Sequence, residues 1–193
     1  MKKIINAVDQ VENQMIEGMV KAYPQYLKKL DCGNVVVRSS RKEGKVALIS
    51  GGGSGHEPAH GGYVGEGMLD AAVAGAVFTS PTPDQIYEAI KAVATDAGVL
   101  CIVKNYTGDI MNFEMAVDMA KDEDIKADYV IVNDDVAVKD SLYTTGRRGV
   151  AGTVLVHKIA GALAETGASL EEVKAVAEKV IANVRTMGMA ITA

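Results

Sequence analysis

Two periods of hydrophobic and polar residues take turns along this chain. From Val8 to Tyr23 the apolar positions Val11, Met15, Met19 and Ala22 recur every three or four residues, the spacing of one face of a surface helix that Pro24 closes. Short β-branched runs follow at Val35–Val37 and Val46–Ser50, the second leading straight into a glycine stretch. DAAVAGAVFTS (Asp70–Ser80) predicts a buried strand of small residues, and PTPDQIYEAIKAVAT a helix opened by Thr82 and Pro83 and closed by Gly98. VLCIVKN (Val99–Asn105) is a continuous apolar strand, TGDIMNFEMAVDMA begins a helix whose Met111, Met115 and Met119 read as core, and DYVIVND (Asp128–Asp134) is the next strand. Gly149–Glu165 reads as a Gly- and Ala-rich helix, and the capping box Ser169-x-x-Glu172 opens another that runs to about Arg185. Apolar runs separated by helices predict parallel strands covered on both faces. The fold class that follows is α/β: three layers, with a mostly parallel sheet flanked by helices. After Val184, RTMGMAITA reads as a strand or linker, without a helix cap or terminal charge cluster.

Composition narrows the class. The 193 residues, 48% hydrophobic and 23% charged, suffice for one sizeable core in a single domain. Aromatics at 5%, no Trp and 20 Gly favour close helix-on-sheet packing over a β-sandwich. A net charge of −5 and no long basic run speak against nucleic acid as a partner. Apolar stretches stay short of the ~18 residues a membrane helix needs, and MKKIINAVDQVENQ lacks a signal-peptide core, so the expectation is a soluble, cytoplasmic protein with no membrane partner. Cys32 and Cys101, without a C-x-x-C partner, read as reduced and buried.

The stretch Gly51–His60, GGGSGHEPAH, carries the first candidate chemistry. A nucleophile elbow around Ser54 fails, because two places on stands His56 rather than Gly. A Walker loop fails for want of G-K-[ST]. H-E-x-x-H matches by letter through His56, Glu57 and His60, but a zinc site needs both imidazoles on one established helix. Five Gly and Ser residues precede His56, and Pro58 allows a helix to start only at about Glu57 or Pro58. What remains is a glycine loop whose amides contact a small ligand, with His56 beside it.

In an open parallel sheet, ligands gather beyond the carboxyl ends of the strands. Applied to this pattern, the loop after Val46–Ser50 brings Gly51–His56, that after Val99–Val103 brings Lys104, Asn105 and Asp109, and that after Tyr129–Val132 brings Asn133, Asp134 and Asp135. Adjacent parallel strands would gather these into an acid–base site for a small polar substrate. Lys104 reads as a ligand contact. Asp109 reads as a carboxylate in the first turn of a helix, a place compatible with catalysis. His60, among glycines, reads as structural, with at most a contact from behind the ligand-touching groups. Asp134 and Asp135 tempt a Mg²⁺ reading but are taken as structural, and Arg147 and Arg148 as a solvated loop pair.

The run GGGSGHEPAHGGYVGEGMLDAAVAGAVFTSPTPDQI, followed in order by VKNYTGD, VNDDVAV and GRRGVAGTVLVHKIAGA, resembles the substrate-binding subunit of dihydroxyacetone kinase. The resemblance implies that Gly53, Ser54, Gly55, His56, Lys104 and Asp109 surround dihydroxyacetone, with His56 and Asp109 as the acid–base pair and Asp109 the base for the hydroxyl that accepts phosphate. It places no metal or cofactor on this chain. The phosphoryl donor, ATP or a phosphorylated phosphotransferase-system protein, would sit on a nucleotide-binding kinase subunit or domain, and the parent would be a homodimer. The family also fixes its substrate as a hemiaminal on a histidine in a second domain, and His157, inside VLVHKIAGALA, does not match that site. The expectation is therefore a substrate-site domain over residues 1–186, a linker starting at 187–193, and a fragment inactive alone. A non-catalytic relative that binds dihydroxyacetone as a signal is the alternative. The retention of both His56 and Asp109 favours the kinase.

Overall fold

The computed structural model describes residues 3–138, 141–142 and 144–191. Six strands form one sheet: β1 (Leu27–Lys29), β2 (Val35–Arg38), β3 (Ala47–Ser54), β4 (Ala71–Val77), β5 (Val99–Lys104) and β6 (Ala127–Val132). Their spatial order is β1-β2-β4-β3-β5-β6. β4, β3, β5 and β6 run parallel, whereas β2 pairs antiparallel with both β1 and β4. The mostly parallel α/β class is thus the one observed.

Successive strand residues point to opposite faces, and each face has its own core. Val35, Val37, Ile49, Val73, Cys101 and Val103 pack on helices α2 (Pro83–Val93) and α3 (Thr107–Asp122). Val36, Leu48, Ala72, Leu100, Ile102 and Val130 pack on α1 (Val11–Ala22), α4 (Thr153–Ala164) and α5 (Leu170–Asn183). Each such Val, Leu or Ile contributes about 1.5–3 kcal/mol when fully buried. β5 is buried at all six positions, which is why its sequence is a continuous apolar run. Capping boxes start α2 (Thr82 with Gln85, behind Pro83 in the first turn) and α5 (Ser169 with Glu172). Replacing either cap residue by Ala costs about 1 kcal/mol.

Several local expectations are corrected. The buried face of α1 centres on Ile16, with Met15 and Met19 half-buried beside it and Ala22 exposed. β4 stops at Val77, because Phe78 takes a φ of 52° and turns the chain away. Gly75 permits that turn: a Cβ there would lie 2.0 Å from the Thr79 carbonyl oxygen. α2 ends at Val93, and Gly98, at φ 98°, serves the turn into β5 instead of the helix end. Met111 and Met115 are exposed, because the buried stripe of α3 runs through Phe113, Ala116, Val117 and Ala120; Met119 alone of the three packs on the core. Cys101 is buried and its thiol is pushed up to about 12 by that burial, but Cys32 is exposed in the turn between β1 and β2. α5 ends at Asn183, and from Met187 to Ile191 the chain has no regular structure, with Met187, Met189 and Ile191 exposed. Thr192 and Ala193, the end of the expected linker, lie outside the described residues. Among the described residues no helix is long and apolar enough to cross a membrane.

Candidate functional site

β3, β5 and β6 are neighbours and parallel, so their carboxyl ends meet at one edge. There the glycines of β3 work through close approach. A Cβ on Gly51 would lie 2.6 Å from the Val73 carbonyl oxygen, and one on Gly53 2.5 Å from the Thr79 amide. Gly55, at φ 115°, is covered by the Phe78 ring. The Ser54 hydroxyl donates to the Gly75 carbonyl at 2.7 Å and the Gly55 amide to Glu57 Oε1 at 3.0 Å. Both therefore hold the loop's shape, and the Ser54 side chain faces β4. Residues 57–60 form turns and Gly61–Tyr63 a single 3-10 turn, so the helical face a zinc protease needs does not form.

Lys104, the last residue of β5, is buried and donates to His56 Nε2 at 2.8 Å. An ammonium donor at Nε2 fixes His56 as the neutral tautomer protonated at Nδ1. Burial, and then the Lys104 charge, lower the His56 pKa. Burial also lowers that of Lys104, against the pull of Asp109 and Asp134. Asp109 is the third residue of α3 and only 5% exposed. Burial raises its pKa, although the Ser80 hydroxyl donates to Oδ1 and Lys104 is near. A carboxylate so desolvated is a stronger base than one in water.

Behind these groups two imidazoles touch. His60 Nδ1 lies 3.1 Å from Ser50 Oγ and 3.3 Å from His157 Nε2. Burial pushes His60 well below its ordinary value and His157 down to about 3, with the Lys104 charge second in each case. Together His56, Lys104, Asp109, Ser80, Phe78 and both buried histidines line a cleft of about 1110 Å³. The cleft thus gathers Gly53, His56, Lys104 and Asp109 as the sequence reading expects. Ser80 and Phe78, in the turn after β4, were not anticipated, since neither lies in a motif that announces chemistry.

Asp134 is fully buried and accepts from the amides of Val150 (2.8 Å) and Gly152 (2.7 Å) and from the Thr186 hydroxyl. Asp135 accepts from Arg148 at 2.7 and 2.9 Å, so Arg148 is an ion-pair partner where a solvated side chain was expected. Asn105 donates to the carbonyls of Thr145 and Arg147. These bonds set the loop before α4 against the cleft. Among the described residues no group of three or more His, Cys, Asp or Glu side chains is placed to hold a metal ion.

A family model described as the Dak1 domain matches residues 17–193. Over 192 residues the chain is 65% identical to the "PTS-dependent dihydroxyacetone kinase 1, dihydroxyacetone-binding subunit DhaK" of Listeria innocua, covering 100% of this chain and 58% of that relative. It is 50% identical to the "PEP-dependent dihydroxyacetone kinase, dihydroxyacetone-binding subunit DhaK" of Escherichia coli, covering 54% of it. The chain thus spans just over half the length of these curated relatives. Among solved structures, the dihydroxyacetone kinase from C. freundii in complex with AMP-PNP and Mg²⁺ superposes with a TM-score of 0.89 at 44% identity, over 94% of this chain and 34% of that one. The "Dihydroxyacetone kinase operon co-activator Dha-DhaQ" does so with 0.80 at 42% identity, over 86% and 51%.

Proposed function

The chain belongs to the Dak1 family, and from that premise we propose that it carries the dihydroxyacetone site of a dihydroxyacetone kinase. The observation that carries this reading is the buried Asp109 facing, across one cleft, a Lys104 already bonded to His56. Gly53, His56, Lys104 and Asp109 form the substrate walls, and Ser54 and Gly55 hold the loop between them in shape. A primary hydroxyl is a poor nucleophile, and Asp109 takes its proton as the oxygen attacks the phosphorus of a donor held by a partner subunit or domain. The new O–P bond forms as the donor's own bond to phosphorus breaks. The Lys104 ammonium offsets the charge that grows on the substrate oxygens, and His56, neutral and on the exposed rim, exchanges protons with the ligand. The products are dihydroxyacetone phosphate and the dephosphorylated donor, ATP or a phosphotransferase-system protein being the two donor classes.

The likeness to a co-activator supports a second reading, in which the site holds dihydroxyacetone as a signal. Asp109 and His56 favour the kinase, since a sensor has no use for a base at the hydroxyl. The deciding experiment supplies the full-length protein with dihydroxyacetone and either ATP or the phosphorylated partner, and reads dihydroxyacetone phosphate. Product with one donor supports the kinase and names the donor class. Binding without product under both overturns it in favour of the sensor.

A further inference from the structure

We propose that His60 is a ligand-binding residue, its Nε2 accepting a hydrogen bond from a substrate hydroxyl. The argument starts at Ser50. Its single hydroxyl proton goes to the Ile102 carbonyl at 2.6 Å, so toward His60 Nδ1, 3.1 Å away, it offers only a lone pair. His60 Nδ1 must then carry the proton, shared between Ser50 Oγ and His157 Nε2. In the neutral ring that leaves Nε2 as a bare acceptor.

Nε2 is buried and has no hydrogen-bond partner among the described residues. An unpaired buried polar atom costs about 1–3 kcal/mol, and its persistence calls for a partner the protein does not supply. The position of the atom says what that partner is. Gly52 presents a bare Cα to a hollow: a Cβ there would lie 3.6 Å from Asp109 Oδ2, 3.7 Å from His60 Nε2 and 3.8 Å from Lys104 Cε. All three walls also line the cleft. The hollow is therefore bordered by a carboxylate on one side and an imidazole lone pair on the other, one acceptor for each of two hydroxyls. Two acceptors and one ammonium select a ligand with two hydroxyls flanking a carbonyl. This deepens the proposed function, on which the ligand's identity rests. Asp109 takes the hydroxyl to be phosphorylated, and His60 holds the second one.

The test uses the full-length protein labelled with ¹⁵N-histidine. The free protein is expected to show His60 protonated at Nδ1 and bare at Nε2, and dihydroxyacetone to shift the Nε2 resonance as a new hydrogen bond does. Hydroxyacetone, whose one hydroxyl goes to the stronger acceptor, Asp109, is expected to move it much less. His60→Phe, which keeps a ring in place, is expected to bind dihydroxyacetone about tenfold more weakly, with hydroxyacetone affinity changed by no more than about twofold. A proton on Nε2, or an unmoved Nε2 signal with dihydroxyacetone bound by calorimetry, overturns the role of His60 and leaves the proposed function standing. Failure of the unaltered protein to bind dihydroxyacetone at all overturns both. Should His60→Phe not fold, the ¹⁵N measurement on the unaltered protein decides alone.

Discussion

The two edges of the parallel sheet bury charge in opposite ways. At the amino ends of β3 and β4, Lys45 is 1% exposed, yet its Nζ lies 2.6 Å from Asp70 Oδ2 and 3.7 Å from Glu165 Oε1. Arg38 bridges the same two carboxylates at 3.1 and 2.6 Å, Lys42 reaches Glu165 at 3.1 Å, and the Leu48 amide donates to Asp70. Every charge there meets an opposite one. At the carboxyl ends, Lys104 spends its contact on a neutral imidazole, and Asp109 receives a hydroxyl where an arginine would have paired it. Paired burial deepens ionisation, as it does at Glu165. Burial without an ion partner in contact pushes a group toward its neutral form, as at Lys104 and Asp109. One edge stabilises the fold and the other stores reactivity.

The largest effect that tests this contrast is on turnover. Asp109→Ala in the full-length protein is expected to cut the rate of dihydroxyacetone phosphate formation by about 10²–10⁴-fold, beyond the roughly tenfold weakening of dihydroxyacetone binding, read by calorimetry, that the loss of one hydroxyl contact brings. Near-normal turnover would remove Asp109 from the base's role. On the opposite edge, Lys45→Met is expected to cost about 3–5 kcal/mol in denaturant unfolding, because Asp70 and Glu165 stay buried without it. Turnover per folded molecule should stand, and a variant as stable as the original would show that those contacts carry no weight.

Acid separates the edges next. Burial opposes the charged form of Glu165, but Arg38, the Gly67 amide, Lys42 and Lys45 outweigh it and hold the carboxyl at about 2. Its folded pKa lies below the unfolded one, so its stabilisation is complete above the unfolded carboxylate range and is lost as pH falls from there toward about 2. Unfolding free energy should decline over that window, and less steeply in Glu165→Gln; parallel profiles would contradict the assignment. The smallest effect has the opposite sign. Asp109→Asn keeps an acceptor for Ser80 without a desolvated charge, and is expected to raise stability by up to about 1 kcal/mol at neutral pH, a melting shift of about 2–4 °C, as turnover is lost.

The sequence pattern made β3, β5 and β6 legible because strands buried on both faces read as unbroken apolar runs. It missed β1, whose three residues LKK show no alternation, and overran β4, because nothing in GAVFTS marks Phe78 as the residue that turns. Met111 and Met115 misled for a related reason. Spacing finds a stripe on a helix, but the stripe two residues away, through Phe113 and Val117, is the one that packs. At the site, His56, Lys104 and Asp109 were legible because each lies at or just past the carboxyl end of a strand, among polar residues. Ser80 belongs to a different turn, 29 residues from the Asp109 it donates to, and no local pattern reports such a pairing. The His60–His157 contact spans 97 residues and was invisible for the same reason.

The ion cluster also sets a timetable. Arg38 and Glu165 are separated by 127 residues, so a ribosome emits Arg38, Lys45 and Asp70 long before the acid that completes their neutralisation. At ordinary elongation speeds of about 5–20 residues per second, the nascent sheet waits roughly 5–20 s with two cationic side chains leaning on a single aspartate. Until Glu165 arrives, that edge holds its cations short of one carboxylate, and a synonymous change that slowed translation between Asp70 and Glu165 would lengthen its exposure to chaperones and proteases.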